Sequence, residues 1–184
     1  MTMRTAPAGP SSPVPPPAFS APSLLVLLLS LALCFGISAL GRLATADAVR
    51  TWYPTLAKPA FTPPDIAFPI VWTILFVLMA VALWLMWRAA AASAGGWRAG
   101  LIAAWPAFAL FGLQLALNLG WSVLFFGMQM IGAALIEIVV LLAVLAATAL
   151  AFARHSRLAA LLLVPYMAWG AFATVLTFTI WRMN

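Results

Sequence analysis

Between Arg98 and Glu137 the chain runs through 38 residues without a charge, AGLIAAWPAFALFGLQLALNLGWSVLFFGMQMIGAALI (residues 99–136). A helix rises about 1.5 Å per residue and needs about 20 apolar residues to cross some 30 Å of hydrocarbon, so this tract is too long for one crossing and long enough for two. Gly127 and Gly132 bracket the short connection GMQMIG, and dividing the tract there predicts spans over about 101–126 and 133–153. Charges delimit the other tracts in the same way. A Leu-rich run ends at Arg42, residues 66–87 separate Asp65 from Arg88, and residues 158–181 separate Arg157 from Arg182. Five helices follow, at about 24–42, 66–88, 101–126, 133–153 and 158–181.

Composition sets the solvent. Of the 184 residues 66% are hydrophobic and only 7% charged, where a soluble domain carries about 25% charged residues, so no water-facing surface can be built. Every backbone N–H and C=O at membrane depth must be paired within its own segment, and the runs lack the alternation of barrel strands. The expected class is therefore an all-α integral membrane protein, a multi-pass five-helix bundle in the lipid bilayer. The net charge of +6 is scattered over the ends of apolar runs rather than gathered on one face, which fits headgroup anchors and gives no nucleic-acid surface. One Cys, one His and three acids exclude an intramolecular disulfide and offer no set of metal ligands.

Residues 1–23, rich in Pro, have no periodicity and read as a disordered tail, with the five-helix domain over 24–184. Arg4 before an apolar run and Ala44-Thr45-Ala46 after it resemble a secretory signal. The apolar run of about 17 residues exceeds the 7–15 of such a signal, so the first span is expected to be retained. Basic residues fall almost equally on the two sides, Arg4, Arg88, Arg98, Arg154 and Arg157 against Arg42, Arg50, Lys58 and Arg182, and leave the orientation and the identity of the membrane open.

The connection at residues 43–67 is long, aromatic and proline-rich at once. Pro54, Pro59, Pro63 and Pro64 fix φ and lower the entropy lost on ordering, so the stretch reads as a stiff cap. Trp52 and Tyr53 fit either that cap or an aromatic belt at the membrane boundary.

Helical geometry tests which residues share a face. With Gln114 at 0°, a step of about 100° puts Asn118, Trp121 and Phe125 within roughly 40° of it. Gly112, Ala116 and Gly120 fall on the opposite side, where small residues let another helix approach closely, and they are the expected contact of a homodimer through span 3. Tyr166, Trp169, Ala173 and Thr177 share one arc of the fifth span, and Trp72, Phe76 and Met79 one arc of the second. Such stripes arise in an ordinary core, and the amides of Gln114 and Asn118 serve equally as bonds between helices. With nine Trp in the chain and a cap above, they also suit an aromatic-walled cavity. Glu137, near the start of span 4, is expected near a helix end or neutral. His155 reads as a loop residue, Cys34 as a small core residue, and Ala143, Ala147 and Ala151 as a further packing stripe.

The segment WYPTLAKPAFTPPDIAFPIVWTILF (residues 52–76) resembles the WYxxLxKPxFxPPxxxFPxVW signature of the TspO/MBR family of tryptophan-rich sensory and translocator proteins, and the likeness continues through QLALNLGWSVLFF and VPYMAWGAFATVL. It covers about residues 24–184. The resemblance implies five transmembrane helices and a pocket, capped by the first loop, for porphyrins, haem, sterols or isoquinoline-type ligands. Trp52, Tyr53, Pro63, Trp72, Phe76, Asn118, Trp169 and Ala173 occupy the matching pocket positions. A flat macrocycle would stack on these rings and send its carboxylates toward Lys58 or Arg50. Thr177, where the family often has Asn, and Phe178, where some members have Tyr, depart from the pattern and weaken the case for sterol. No cofactor is obligatory on this reading; porphyrin or haem is the ligand. No catalytic constellation is present, so binding in a sensory or regulatory role leads, with transport of such ligands or light-driven degradation of a held porphyrin as alternatives.

Overall fold

The computed structural model describes residues 20–184. The expected tail lies outside the described residues except for Ser20–Ser23, which are not tail: Ser20 precedes helix α1 (Ala21–Thr51) and Pro22 sits in its first turn, where a missing N–H removes no helical bond. At 31 residues α1 is about 46 Å long, well beyond the hydrocarbon thickness. The expected end at residue 42 therefore moves to Thr51. Residues 43–51 contain neither Pro nor Gly, and their polar side chains bond back onto the helix. Thr45 Oγ1 donates to Gly41 O at 2.8 Å, Arg50 Nε to Ala46 O at 3.1 Å and Thr51 Oγ1 to Asp47 O at 2.9 Å. The proline-rich connection shrinks to a strap of residues 52–66, opening with a 3₁₀ turn at Tyr53–Thr55.

Helix α2 (Ala67–Ser93) closes on the two glycines that follow it. Gly95 takes φ of 75°, the Gly96 N–H donates to Ala91 O at 3.0 Å and the Gly95 N–H to Ala92 O at 3.4 Å, the paired closure of a Schellman turn. The short helix α3 (Trp97–Ala103) folds back so tightly that a Cβ on Gly100 would stand 2.5 Å from Ala91 Cα. Pro106 then interrupts the tract expected as one span over 101–126. It cannot supply the N–H that would continue α3, so a new helix, α4 (Trp105–Ser122), begins after Ala104. α4 ends in a π-helical turn, Val123–Gly127, closed by the Met128 N–H on Val123 O at 2.8 Å.

Gln129, with φ of 57°, turns the link into α5 (Ile131–Ala153), two residues earlier than the expected start. The tract expected over 158–181 divides at Pro165 into α6 (Arg157–Leu161) and α7 (Val164–Met183). Ser156 caps α6, its hydroxyl accepting from the Ala159 N–H at 3.3 Å. Five stretches are long and apolar enough to cross a membrane, Ala21–Thr51, Ala67–Ser93, Trp105–Gly127, Ile131–Ala153 and Arg157–Met183, and the described residues include no strand.

α1 lies along α2 and α4, α4 along α5, and α5 along α7, while α6 bridges α5 and α2. The Trp84 indole N–H, at 3.0 Å from both the carbonyl and the hydroxyl of Ser23, pins the start of α1 to the far end of α2. That end of the bundle is filled. Met79, Ala80, Met86, Leu145, Phe152 and Leu163 are all fully buried in one cluster, with Phe111 and Phe152 stacked at 5.9 Å. Lipid tails are as apolar as these side chains, so close packing rather than escape from water holds this half together. Toward the strap, large rings stand between α2 and α7, Trp72 against Tyr166 and Phe68 against Trp169, each pair at 5.9 Å.

Candidate functional site

Where those rings hold the helices apart, a cavity of about 560 Å³ opens between α1, α2, α4 and α7, beneath the strap. No residue of α5 lines it, so α5 buttresses α4 and α7 from outside. Asn118 marks the cavity floor, where its Nδ2 donates to Tyr166 Oη at 2.7 Å. On the α4 wall Trp121 and Phe125 stack at 5.3 Å and 24°, and Phe126 closes edge-on against Phe125 at 4.8 Å. Opposite stand Trp72 with Phe76 at 5.6 Å and Trp169 with Phe172 at 5.4 Å. The Trp121 ring lines the cavity, while its Nε1 is turned into the protein and buried without a hydrogen-bond partner.

The strap supplies the roof. Tyr53 is buried at the cavity edge with Lys58 Nζ 4.3 Å from its ring centroid, a cation–π contact. Burial pushes the Tyr53 phenol up from its ordinary pKa, the nearby Asp65 carboxylate adds to this, and the ring stays neutral. Thr62 fastens the middle of the strap on itself, its N–H and Oγ1 both donating to Pro59 O at 3.0 and 2.7 Å. Polar groups gather at this end of the lining: Arg42 and Thr45 from α1, Asp65 from the strap.

Of the residues singled out from sequence, Tyr53, Trp72, Phe76, Asn118, Trp121, Phe125, Trp169 and Ala173 line the cavity, as does Thr177. Trp52, Pro63 and Gln114 do not. Trp52 packs edge-on against Phe125 at 5.8 Å, backing a wall residue rather than being one. Gln114 lies on the expected face of α4 but one turn below Asn118, fully buried, with Nε2 3.8 Å from Met79 Sδ and Oε1 unpartnered. A helical wheel fixes the direction of a side chain, not its depth. Met79 is likewise in the filled core.

The small-residue stripe also divides. Gly112 and Ala116 are exposed, whereas a Cβ on Gly120 would stand 3.7 Å from Glu137 Oε1, so Gly120 belongs to the contact with α5. Both Glu137 carboxylate oxygens are buried without a partner.

Phe126 and Arg42 are among the lining residues that the sequence does not single out, each for a structural reason. Phe126 falls about 120° from Gln114 on a regular helix, and only the wider π turn brings it back to the cavity. Arg42, expected at the end of the first span, stands within the helix because α1 continues past it, and it lines the cavity. The cations expected to meet a ligand are engaged elsewhere: Arg50 bonds its own helix and Lys58 sits over Tyr53.

Five apolar crossings, four of them walling a capped aromatic hollow, define a multi-pass integral membrane protein. The chain belongs to the TspO/MBR family, whose pattern matches residues 30–182. It is 44% identical to the tryptophan-rich protein TspO of Chlorobaculum tepidum, over 88% of this chain and 97% of that relative. It is 35% identical to the tryptophan-rich sensory protein of Cereibacter sphaeroides, over 86% and 91% of the two chains. Identity to the translocator protein of Sus scrofa is 38%, over 72% and 75%.

Proposed function

We propose that the chain binds flat, largely apolar molecules bearing an acidic arm in this cavity, tetrapyrroles such as protoporphyrin or haem foremost, and that it does so in a sensory or regulatory role. The observation that carries this reading is the hollow itself, about 560 Å³ between facing indole and phenyl rings, within the 300–1,000 Å³ usual for small-molecule sites. Trp72 and Phe76 on one side and Trp121 and Phe125 on another offer faces on which a macrocycle stacks. Arg42, rather than Lys58 or Arg50, is the cation among the lining residues that would take a carboxylate. His155 does not line the cavity, so haem would be held by its faces and acid arms. Isoquinoline-type ligands fit the same rings. The exposed Phe178 adds nothing toward a sterol. The sensory role is supported by the name of the Cereibacter sphaeroides relative.

Titration of the detergent-solubilised protein with protoporphyrin tests this. Saturable quenching of tryptophan fluorescence is expected, weakened about tenfold or more in Trp72→Ala/Trp169→Ala, since two ring contacts at about 0.5–1.5 kcal/mol each sum to about 1–3 kcal/mol, a range centred above the 1.4 kcal/mol of a tenfold change. Quenching that never saturates, or that the double substitution leaves unchanged, would contradict the assignment.

A further inference from the structure

We infer that Asn184 is a positioning residue that clamps the strap shut over the cavity and sets how fast a ligand passes beneath it; the ligand half of this inference rests on the function proposed above. The Ala57 N–H donates to Asn184 Oδ1 at 3.0 Å, and Asn184 Nδ2 donates back to Ala57 O at 3.0 Å. One side-chain amide thus pairs with both backbone groups of a single strap residue, 127 positions away in the chain. The second Nδ2 hydrogen goes to Ile180 O at 2.8 Å, and the Asn184 backbone N–H bonds the same carbonyl at 3.2 Å, so the amide is held rigidly on the last turn of α7. Ile180 itself lines the cavity, and the clamp therefore joins roof to wall.

Nothing else polar does this job among the described residues. The other strap hydrogen bonds are local: Trp52 to Ala48, Thr55 to Trp52, Leu56 to Tyr53, Thr62 to Pro59 and Ala67 to Pro64. Four prolines have removed donors from the strap, so an Ala peptide unit is one of the few places where an outside group can grip it. Ring contacts such as Phe61 with Phe172 at 6.4 Å add surface but little direction. An asparagine is suited to the task because its amide both donates and accepts; aspartate keeps the acceptor for Ala57 N–H and loses both donations, and alanine loses all three bonds.

Because the clamp is made of protein atoms alone, it acts in the free and the loaded chain alike. Loosening it raises the open fraction in both, so association and dissociation quicken together while their ratio holds. Two exposed hydrogen bonds at the low end of the usual net range give a change of roughly fivefold. The experiment uses stopped-flow protoporphyrin quenching together with amide hydrogen exchange, on the wild type, Asn184→Ala and Asn184→Asp. Expected are rates of binding and release both raised roughly fivefold in Asn184→Ala, a smaller rise in Asn184→Asp, Kd within about twofold, and faster exchange at Ala57 with α5 unchanged. Unaltered Ala57 exchange in Asn184→Ala overturns the clamp. A rise in release alone, or a loss of binding amplitude with general loosening of the bundle, also overturns it, since that is ordinary destabilisation. If protoporphyrin fails to bind the wild type, the function proposed above falls, and Ala57 exchange still decides for or against the clamp.

Discussion

The same helices build two unlike halves. Away from the strap, α1, α2, α4 and α5 close on buried Ala, Met and Leu side chains; beneath the strap, α1, α2, α4 and α7 are propped apart by Trp, Phe and Tyr around a hollow. The boundary is a polar layer, Gln114 against Met79 and Asn118 against Tyr166. Small residues let backbones touch, whereas large rings meeting edge-on keep them separate, so residue size along each helix decides where the bundle is solid and where it is open. In lipid this is the main lever, because apolar surface gains little by leaving an apolar solvent.

The contrast is broken most forcefully by truncation in the filled half. Phe152→Ala removes a fully buried ring stacked on Phe111 and is expected to lower stability by about 3 kcal/mol, the low end for Phe to Ala since the transfer contribution is missing in lipid. Trp169→Ala, in the open half, is expected to lower it by about 1 kcal/mol or less while weakening ligand binding. Denaturation in detergent, with protoporphyrin affinity alongside, reads both; equal stability losses would erase the distinction between the halves.

Next in size is Gly100→Ala. The added methyl would stand 2.5 Å from the Ala91 backbone, and separating α3 from α2 is expected to cost about 2 kcal/mol. Gly112→Ala, which meets nothing within 4 Å, is expected to leave the melting temperature where it was. Matching shifts for the two glycines would show that close approach does not hold the filled end.

The polar layer is sharpened by Tyr166→Phe. It strands the Asn118 amide at the cavity floor and is expected to lower stability by about 1–2 kcal/mol. Protoporphyrin affinity should change by less than about threefold, because the stacking rings remain. A larger loss of affinity than of stability would move Tyr166 from the floor into the binding surface.

Much of this was legible in the chain. Runs between charges delimit the crossings because a charge inside hydrocarbon is too unfavourable to scatter, and the wheel brings Asn118 and Trp121 to one face because α4 is regular up to Ser122. What was not legible has identifiable causes. Pro106 and Pro165 break helices at positions where apolar content continues, so hydropathy passes over them. Phe126 depends on a π turn with no sequence signal, and Gln114 on depth, which no periodicity records. Arg42 was hidden by the assumption that a charge ends a helix, when α1 carries it onward into the boundary region beneath the strap. The clamp of Asn184 on Ala57 joins residues 127 apart, and neither residue type announces it.

The most direct test is a structure of the protein with protoporphyrin added. The account predicts density for the macrocycle between Trp72, Trp121 and Trp169, with a carboxylate at Arg42 and the strap closed above it. Density confined to the lipid-facing surface, with the ring-lined hollow collapsed or empty, would contradict it.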